Sequence, residues 1–293
     1  MRTPEDYHRL SATASESRRF DVAVDMATKA IAQDPGYAGG YGSLALGLTG
    51  LKRYDEAIEN ARRAIALDPC DVQLCMLLAN AHELKSEYDE AMKHIEVAIQ
   101  IDPEDPGPLR LKGRILMAQK KATDAIDPLK KALQLDPSCF DSTVELAAAY
   151  IWAKKFDLAE PVCRDALAIN PDEPNALHNL GICLDRRRNF LEAARVYRAA
   201  IMANPNSRMS KLNFVRMVNQ ILGELSFILP PILALMAYIG LNHKGYTSAG
   251  IVVAIGLSAF GLANWILYLR KIRQLKKSDP ELLNLYRSIQ KNG

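Results

Sequence analysis

Residues 51–69 read LKRYDEAIENARRAIALDP and residues 85–103 read KSEYDEAMKHIEVAIQIDP. The second stretch restates the first 34 residues on: Tyr54 and Tyr88, Ala57 and Ala91, Ala64 and Ala98, and the closing Asp-Pro pairs fall in register. Working outward, the prolines Pro35, Pro69, Pro103, Pro137, Pro171 and Pro205 keep the same 34-residue step. They follow Asp34, Asp68, Asp102, Asp136, Asn170 and Asn204. Five residues before each proline stands an alanine (Ala30, Ala64, Ala98, Ala132, Ala166, Ala200), and twelve before each stands another, from Ala23 to Ala193. Methyl side chains at fixed places let two helices approach closely. The proline ends the second helix, because the residue before it is pushed out of the α region.

Phe20, Tyr54, Tyr88, Phe156 and Phe190 open the second helices; Ala122 takes that place in the fourth unit, whose hairpin is expected to close less tightly. The first helices carry Leu10–Ser11, Leu44–Ala45, Leu78–Ala79, Lys112–Gly113, Leu146–Ala147 and Leu180–Gly181 at matching places. A strict period of this length means stacked helical hairpins, each unable to bury its apolar face alone. The units run over about 4–37, 38–71, 72–105, 106–139, 140–173 and 174–207. The expected fold is all-α: a six-unit α-solenoid over residues 1–205.

These six registers resemble the tetratricopeptide repeat (TPR) family over residues 4–205. The family's first-helix tryptophan is replaced by Tyr7, Tyr41, Cys75, Leu109, Thr143 and Leu177. The resemblance implies a superhelix in which each unit touches only its neighbours, with a concave groove for a protein or peptide lined by the first helices. The positions it turns inward are His8 and Ala12, Gly42 and Leu46, then Met76, Asn80 and Glu83. After them come Arg110, Arg114 and Met117, then Val144, Ala148 and Ile151 with Trp152 beside it, then His178, Ile182 and Asp185. The family's best-known groove clamps a C-terminal carboxylate with Lys, Asn and Arg from adjacent units, and that set is not reproduced. Arg110 and Arg114 are the paired cations of the inner face. They either meet an acidic feature of a partner, with Met76, Met117, Ile151 and Trp152 as apolar anchors, or pair with Glu83 and Glu145 of neighbouring units.

After Pro205 the period stops. Residues 206–220 place Leu212, Val215, Val218 and Leu222 at helical spacing, as a helix covering the last unit would. Residues 221–241 and 248–269 are apolar runs, each long enough for a ~30 Å hydrocarbon core; Glu224 is their single charge. They predict a transmembrane hairpin over 221–269 that contacts membrane lipids. Its Gly250, Ala254 and Ser258 stripe either closes the hairpin or pairs two copies. Residues 206–293 hold 11 Lys and Arg against 3 Asp and Glu. By the positive-inside rule both termini are expected in the cytoplasm, with a bacterial inner membrane as the reading and an organelle membrane as the alternative. The basic tail, 270–293, carries Leu282, Leu285, Tyr286 and Ile289 on one face and lies either along the membrane or against the repeats.

The chemistry of enzymes is not visible. Gly40-Tyr41-Gly42-Ser43 falls inside a helix with no strand before it, so it is no dinucleotide fingerprint. His82–Glu83 lacks the second histidine of a zinc-hydrolase helix, and the other histidines are scattered. The five cysteines are odd in number with no C-x-x-C, which fits a reducing compartment. The positive charge sits in the apolar C-terminal part, so the basic pI does not point to nucleic acid. No cofactor, metal or catalytic residue is expected. The sequence reads as a membrane-anchored, non-catalytic adaptor with a groove for a cytoplasmic partner. The alternative is a subunit of a transport or secretion complex, or an immunity protein, whose hairpin takes part in recognition.

Overall fold

Asp and Asn stand before the repeat prolines for a local reason. The Asp34 carboxylate accepts the Gly36 amide at 2.8 Å, Asp102 accepts Glu104 at 3.0 Å and Asn204 accepts Asn206 at 3.1 Å. The same side-chain turn recurs at Asp68, Asp136 and Asn170. The side chain thus closes the turn as the proline stops the helix. The computed structural model describes residues 2–222 and 268–292.

These residues form α1 (Pro4–Glu16), α2 (Phe20–Gln33), α3 (Ala38–Gly50), α4 (Tyr54–Leu67), α5 (Val72–Leu84), α6 (Tyr88–Ile101) and α7 (Pro106–Ala118). The chain continues as α8 (Ala122–Leu135), α9 (Phe140–Trp152), α10 (Phe156–Ile169), α11 (Pro174–Arg186), α12 (Phe190–Ala203) and α13 (Arg208–Leu222). Residues 268–278 are helical, and α14 spans Pro280–Asn292. No strand occurs among the described residues. Residues up to Lys154 make one compact unit and those from Lys155 a second.

Inside each hairpin the first helix stops by a device the period did not reveal. Arg18, Lys52, Ser86, Lys120, Lys154 and Arg188, again 34 residues apart, hold φ between 58° and 65°. In the second hairpin the Lys52 amide bonds the Thr49 carbonyl at 3.0 Å, and Arg53 bonds Leu48 at 2.9 Å. This is a Schellman motif with a non-glycine residue in the left-handed position, at a cost of roughly 1 kcal/mol. Lys52→Gly should therefore raise stability in urea by about 0.5–1 kcal/mol. A lower unfolding midpoint would contradict that reading.

The hairpins close through the alanines. Ala23, Ala27, Ala57, Ala61, Ala91 and Ala125 are all fully buried, as are Ala159, Ala193 and the alanine five before each proline. In the fourth and sixth hairpins the second helix brings Leu129 or Tyr197 to the crossing, and the first helix brings glycine. A Cβ on Gly113 would lie 2.7 Å from Leu129 Cδ2 and nearer still to its Cγ, and one on Gly181 would lie 2.6 Å from Tyr197 Cε1. Leu129 and Tyr197 are fully buried. The fourth hairpin, expected to be looser for want of an aromatic at Ala122, is thus closely packed, because Leu129 fills the space that Gly113 leaves.

In the second unit α13 packs along α12 and buries Phe214, Met217, Val218 and Leu222. The C-terminal tail, whose place the sequence left open, lies against α12 and α13. Leu275, Leu282 and Leu283 are buried, and the Tyr286 hydroxyl donates to Asn219 Oδ1 at 2.7 Å.

The expected hairpin, 221–241 and 248–269, lies outside the described residues except at its edges. Among the described residues no helix is long and apolar enough to cross a membrane. This corrects the expected placement as a two-span protein of a bacterial inner membrane with cytoplasmic termini. The lipid contacts and the pairing of copies expected through 221–269 have no support in the described helices.

Candidate functional site

The first unit carries an open cleft of about 830 Å³ on the side of its first helices. The period explains the lining. Residues separated by roughly one repeat come to equivalent places on α1, α3, α5 and α7: His8 and Ala12, Gly42 and Leu46, Met76 and Asn80, Arg110 and Arg114. The turns before α3 and α5 close one side with Tyr37, Leu67, Asp68 and Asp71. Leu74 is buried while Leu46 is 41% exposed, so the floor is apolar, and Leu67 beside it is 45% exposed.

Both arginines are engaged with carboxylates of neighbouring repeats, the pairing that the sequence held open as the alternative to partner contact. Arg114 Nη2 donates to Glu83 Oε2 and to Asn80 Oδ1, each at 2.6 Å, while its Nε points to both Glu83 oxygens at 3.1 Å. Glu83 is largely covered, with 12% of its side chain exposed. Arg110 Nη1 donates to Glu145 Oε1 at 3.3 Å and lies 3.7 Å from Asp141. Burial pushes the Glu145 carboxyl above its usual range, against the pull of Arg110 and Arg114. Its second oxygen is buried without a hydrogen-bond partner. A raised carboxylate pKa means that this group contributes stability below its unfolded value, and that the contribution is lost as pH rises through its folded value.

His8 is held rather than free. Its Nδ1 lies 2.7 Å from Ser43 Oγ and 3.1 Å from the Gly39 carbonyl, and Tyr37 meets the ring edge-on at 5.9 Å. The Tyr37 phenol is raised by burial and by the charge of Glu5. Among the described residues no group of three or more His, Cys, Asp or Glu side chains is placed to hold a metal ion.

The remaining expected groove residues are distributed differently. Met117, Ile151 and Trp152 belong to the first unit but do not line this cleft; Trp152 is 71% exposed. His178 and Asp185 belong to the second unit. His178 Nδ1 is 3.0 Å from Ser210 Oγ, and burial holds its imidazole below the ordinary range. Asp185 accepts from Arg216 Nη2 at 2.6 Å. That bond spans 31 residues, as does Arg114 to Glu83, so the last repeat and α13 share the brace found between the third and fourth repeats. Sequence reasoning missed Tyr37, Asp68 and Asp71, because it counted inward positions only along the first helices. The legible signal at Asp71 was a capping aspartate two residues after a repeat proline; it accepts the Gln73 amide at 2.7 Å.

Tetratricopeptide repeat models match residues 48–115 and 153–212, and another tetratricopeptide repeat model matches 12–69. The chain belongs to the tetratricopeptide repeat family. Solved structures agree on the fold. pilF of Pseudomonas aeruginosa is 18% identical with a TM-score of 0.63, over 74% of this chain and 97% of that one. YrrB, described as a TPR protein with an unusual peptide-binding site, is 20% identical with a TM-score of 0.50, over 63% and 95%. A thermophilic TPR protein of Thermus thermophilus, TTC0263, is 19% identical with a TM-score of 0.51, over 62% and 98%. At these identities the likeness concerns the fold alone. No curated protein matches the chain significantly.

Proposed function

We propose that the chain is a non-catalytic protein-interaction scaffold whose first unit receives an extended segment of a partner protein. The cleft along α1, α3, α5 and α7 carries the reading: it is open, has an apolar floor and presents backbone-braced polar side chains at its rim. A TPR relative of the same fold, YrrB, is described as having a peptide-binding site, which supports this class of ligand. Leu46 and Met76 serve as apolar contacts, Asn80 as a polar one, and Arg110 and Arg114 as walls stiffened by their ion pairs. Met117, Ile151 and Trp152 supply further apolar surface on the same unit. His178 and Asp185, engaged inside the second unit, are not needed for it.

The test is selection of binders from a random dodecapeptide library displayed on phage, with the full chain as bait. Peptides so obtained should lose about tenfold or more in affinity on Leu46→Glu, because a carboxylate would then sit unpaired against their apolar side chains. Leu46 is not a core residue, so the variant should fold. Selected peptides that bind the variant as well as the parent chain would remove the cleft from consideration.

A further inference from the structure

Resting on the reading of the cleft as a protein-binding groove, we propose that its ligand presents a cationic side chain, lysine or arginine, next to an apolar one. The charges on the walls of the cleft point to such a ligand. The positive charges in the cleft are already met: Arg114 by Glu83, Arg110 by Glu145 with Asp141 behind it. The negative charges of the turn before α5 are not. Asp68 and Asp71 line the cleft and have no cationic partner among the described residues. Each spends Oδ1 on backbone amides of its own turn, Asp68 on Cys70 and Asp71 on Gln73 and Leu74, which leaves Oδ2 of each for a ligand.

A segment with a carboxylate at this rim would face repulsion from Asp68 and Asp71, and would find the Arg114 charge already met by Glu83. A segment with an ammonium or guanidinium group would gain charge-assisted hydrogen bonds without breaking any existing pair. Its apolar neighbour would rest on Leu46 and Leu74, which line the cleft together with Tyr37. The direction is thus opposite to the acidic partner that the bare presence of Arg110 and Arg114 suggests.

The experiment uses the full chain and two labelled peptides, Ser-Leu-Lys repeated four times and Ser-Leu-Glu repeated four times, with binding read by fluorescence anisotropy at two salt concentrations. The variants are Asp68→Asn with Asp71→Asn, and Leu46→Glu. Asparagine keeps both turns, since Asn170 and Asn204 stand at the place of Asp68 in the fifth and sixth repeats. The expected result is saturable binding of the lysine peptide, weaker at high salt. The asparagine pair should reduce it about tenfold or more, the size of a lost charge-assisted bond, and Leu46→Glu should change it as well. Lysine-peptide binding that depends on Leu46 but is equal in the asparagine variant, or tighter binding of the glutamate peptide, would overturn the cationic assignment and leave the groove standing. If neither peptide shows binding that depends on Leu46, the groove reading and this proposal both fall.

Discussion

Gly113→Ala should destabilise the parent chain and stabilise a chain that already carries Leu129→Ala. The added methyl in the parent would lie 2.7 Å from Leu129 Cδ2 and closer still to Cγ, in a hairpin where Leu129 is fully buried. Overpacking of this kind costs about 1–3 kcal/mol, more than the ~1 kcal/mol that alanine gains over glycine inside a helix. Leu129→Ala alone opens a cavity and should cost about 2–5 kcal/mol. With the leucine gone, all three atoms that the new methyl would meet are gone as well, and the methyl fills part of the hole. The double variant then reproduces the second hairpin, where Ala45 and Ala61 are both fully buried. A urea double-mutant cycle should return a favourable coupling of about 2–4 kcal/mol between the two positions. Equal effects of Gly113→Ala in the two backgrounds would show that the two residues do not compensate each other in volume.

The second large effect is expected at Asp279. Its Oδ2 accepts from Arg195 Nε at 3.0 Å, and its Oδ1 accepts from Arg198 Nη1 at 2.9 Å and from the Leu282 amide at 3.1 Å. One carboxylate therefore caps α14, with Pro280 at the first helical position, and fastens it to α12. The side chain is 9% exposed. Asp279→Ala removes the cap, worth about 1 kcal/mol, takes the carboxylate from Arg195 and leaves Arg198 with Glu281 alone. The docking of α14 should weaken by about 2 kcal/mol, so amide exchange at Leu282 and Leu283 should quicken roughly 30-fold while the amides of α2 and α4 are unchanged. Unchanged exchange at α14 would mean that Leu282 and Leu283 hold the helix without the ion pairs. Burial pushes the Asp279 carboxyl up, but the Leu282 amide, Arg195 and Arg198 outweigh it and hold the group below its ordinary range. A lowered carboxylate pKa contributes stability above the unfolded value of about 4, lost as pH falls through the lower folded value. Docking should accordingly be constant from pH 6 to pH 8 and weaken only in acid below about pH 4.

The repeats were legible because their determinants are local. Asp-Pro or Asn-Pro closes each turn within three residues, and alanines at fixed offsets mark one face of a helix, so spacing along the chain suffices to place them. The left-handed residue inside each hairpin escaped notice because none of the six is glycine: Arg18, Lys52, Ser86, Lys120, Lys154 and Arg188 carry no compositional mark of a strained φ. The fourth hairpin departs from its expected looseness for a related reason. Its missing aromatic was visible in the sequence, whereas the fit of Leu129 to Gly113 depends on how closely two helices cross.

Of the binding face, the sequence determined which positions recur on the first helices. Which of them carry charge available to a ligand was left to the tertiary structure. Arg114 and Glu83 are 31 residues apart and Arg110 and Glu145 are 35 apart. Composition offered each arginine either a partner protein or a neighbouring repeat, and only the distance between repeats decides between them. The C-terminal tail shows the same division. Its amphipathic pattern fits a lipid surface or a protein surface equally well, and the contacts of Asp279 with α12 and of Tyr286 with Asn219 place it on the repeats. Periodicity is a property of the chain and survives without coordinates. Pairing of charges and matching of volumes are properties of distance, and they exist only once the helices have packed.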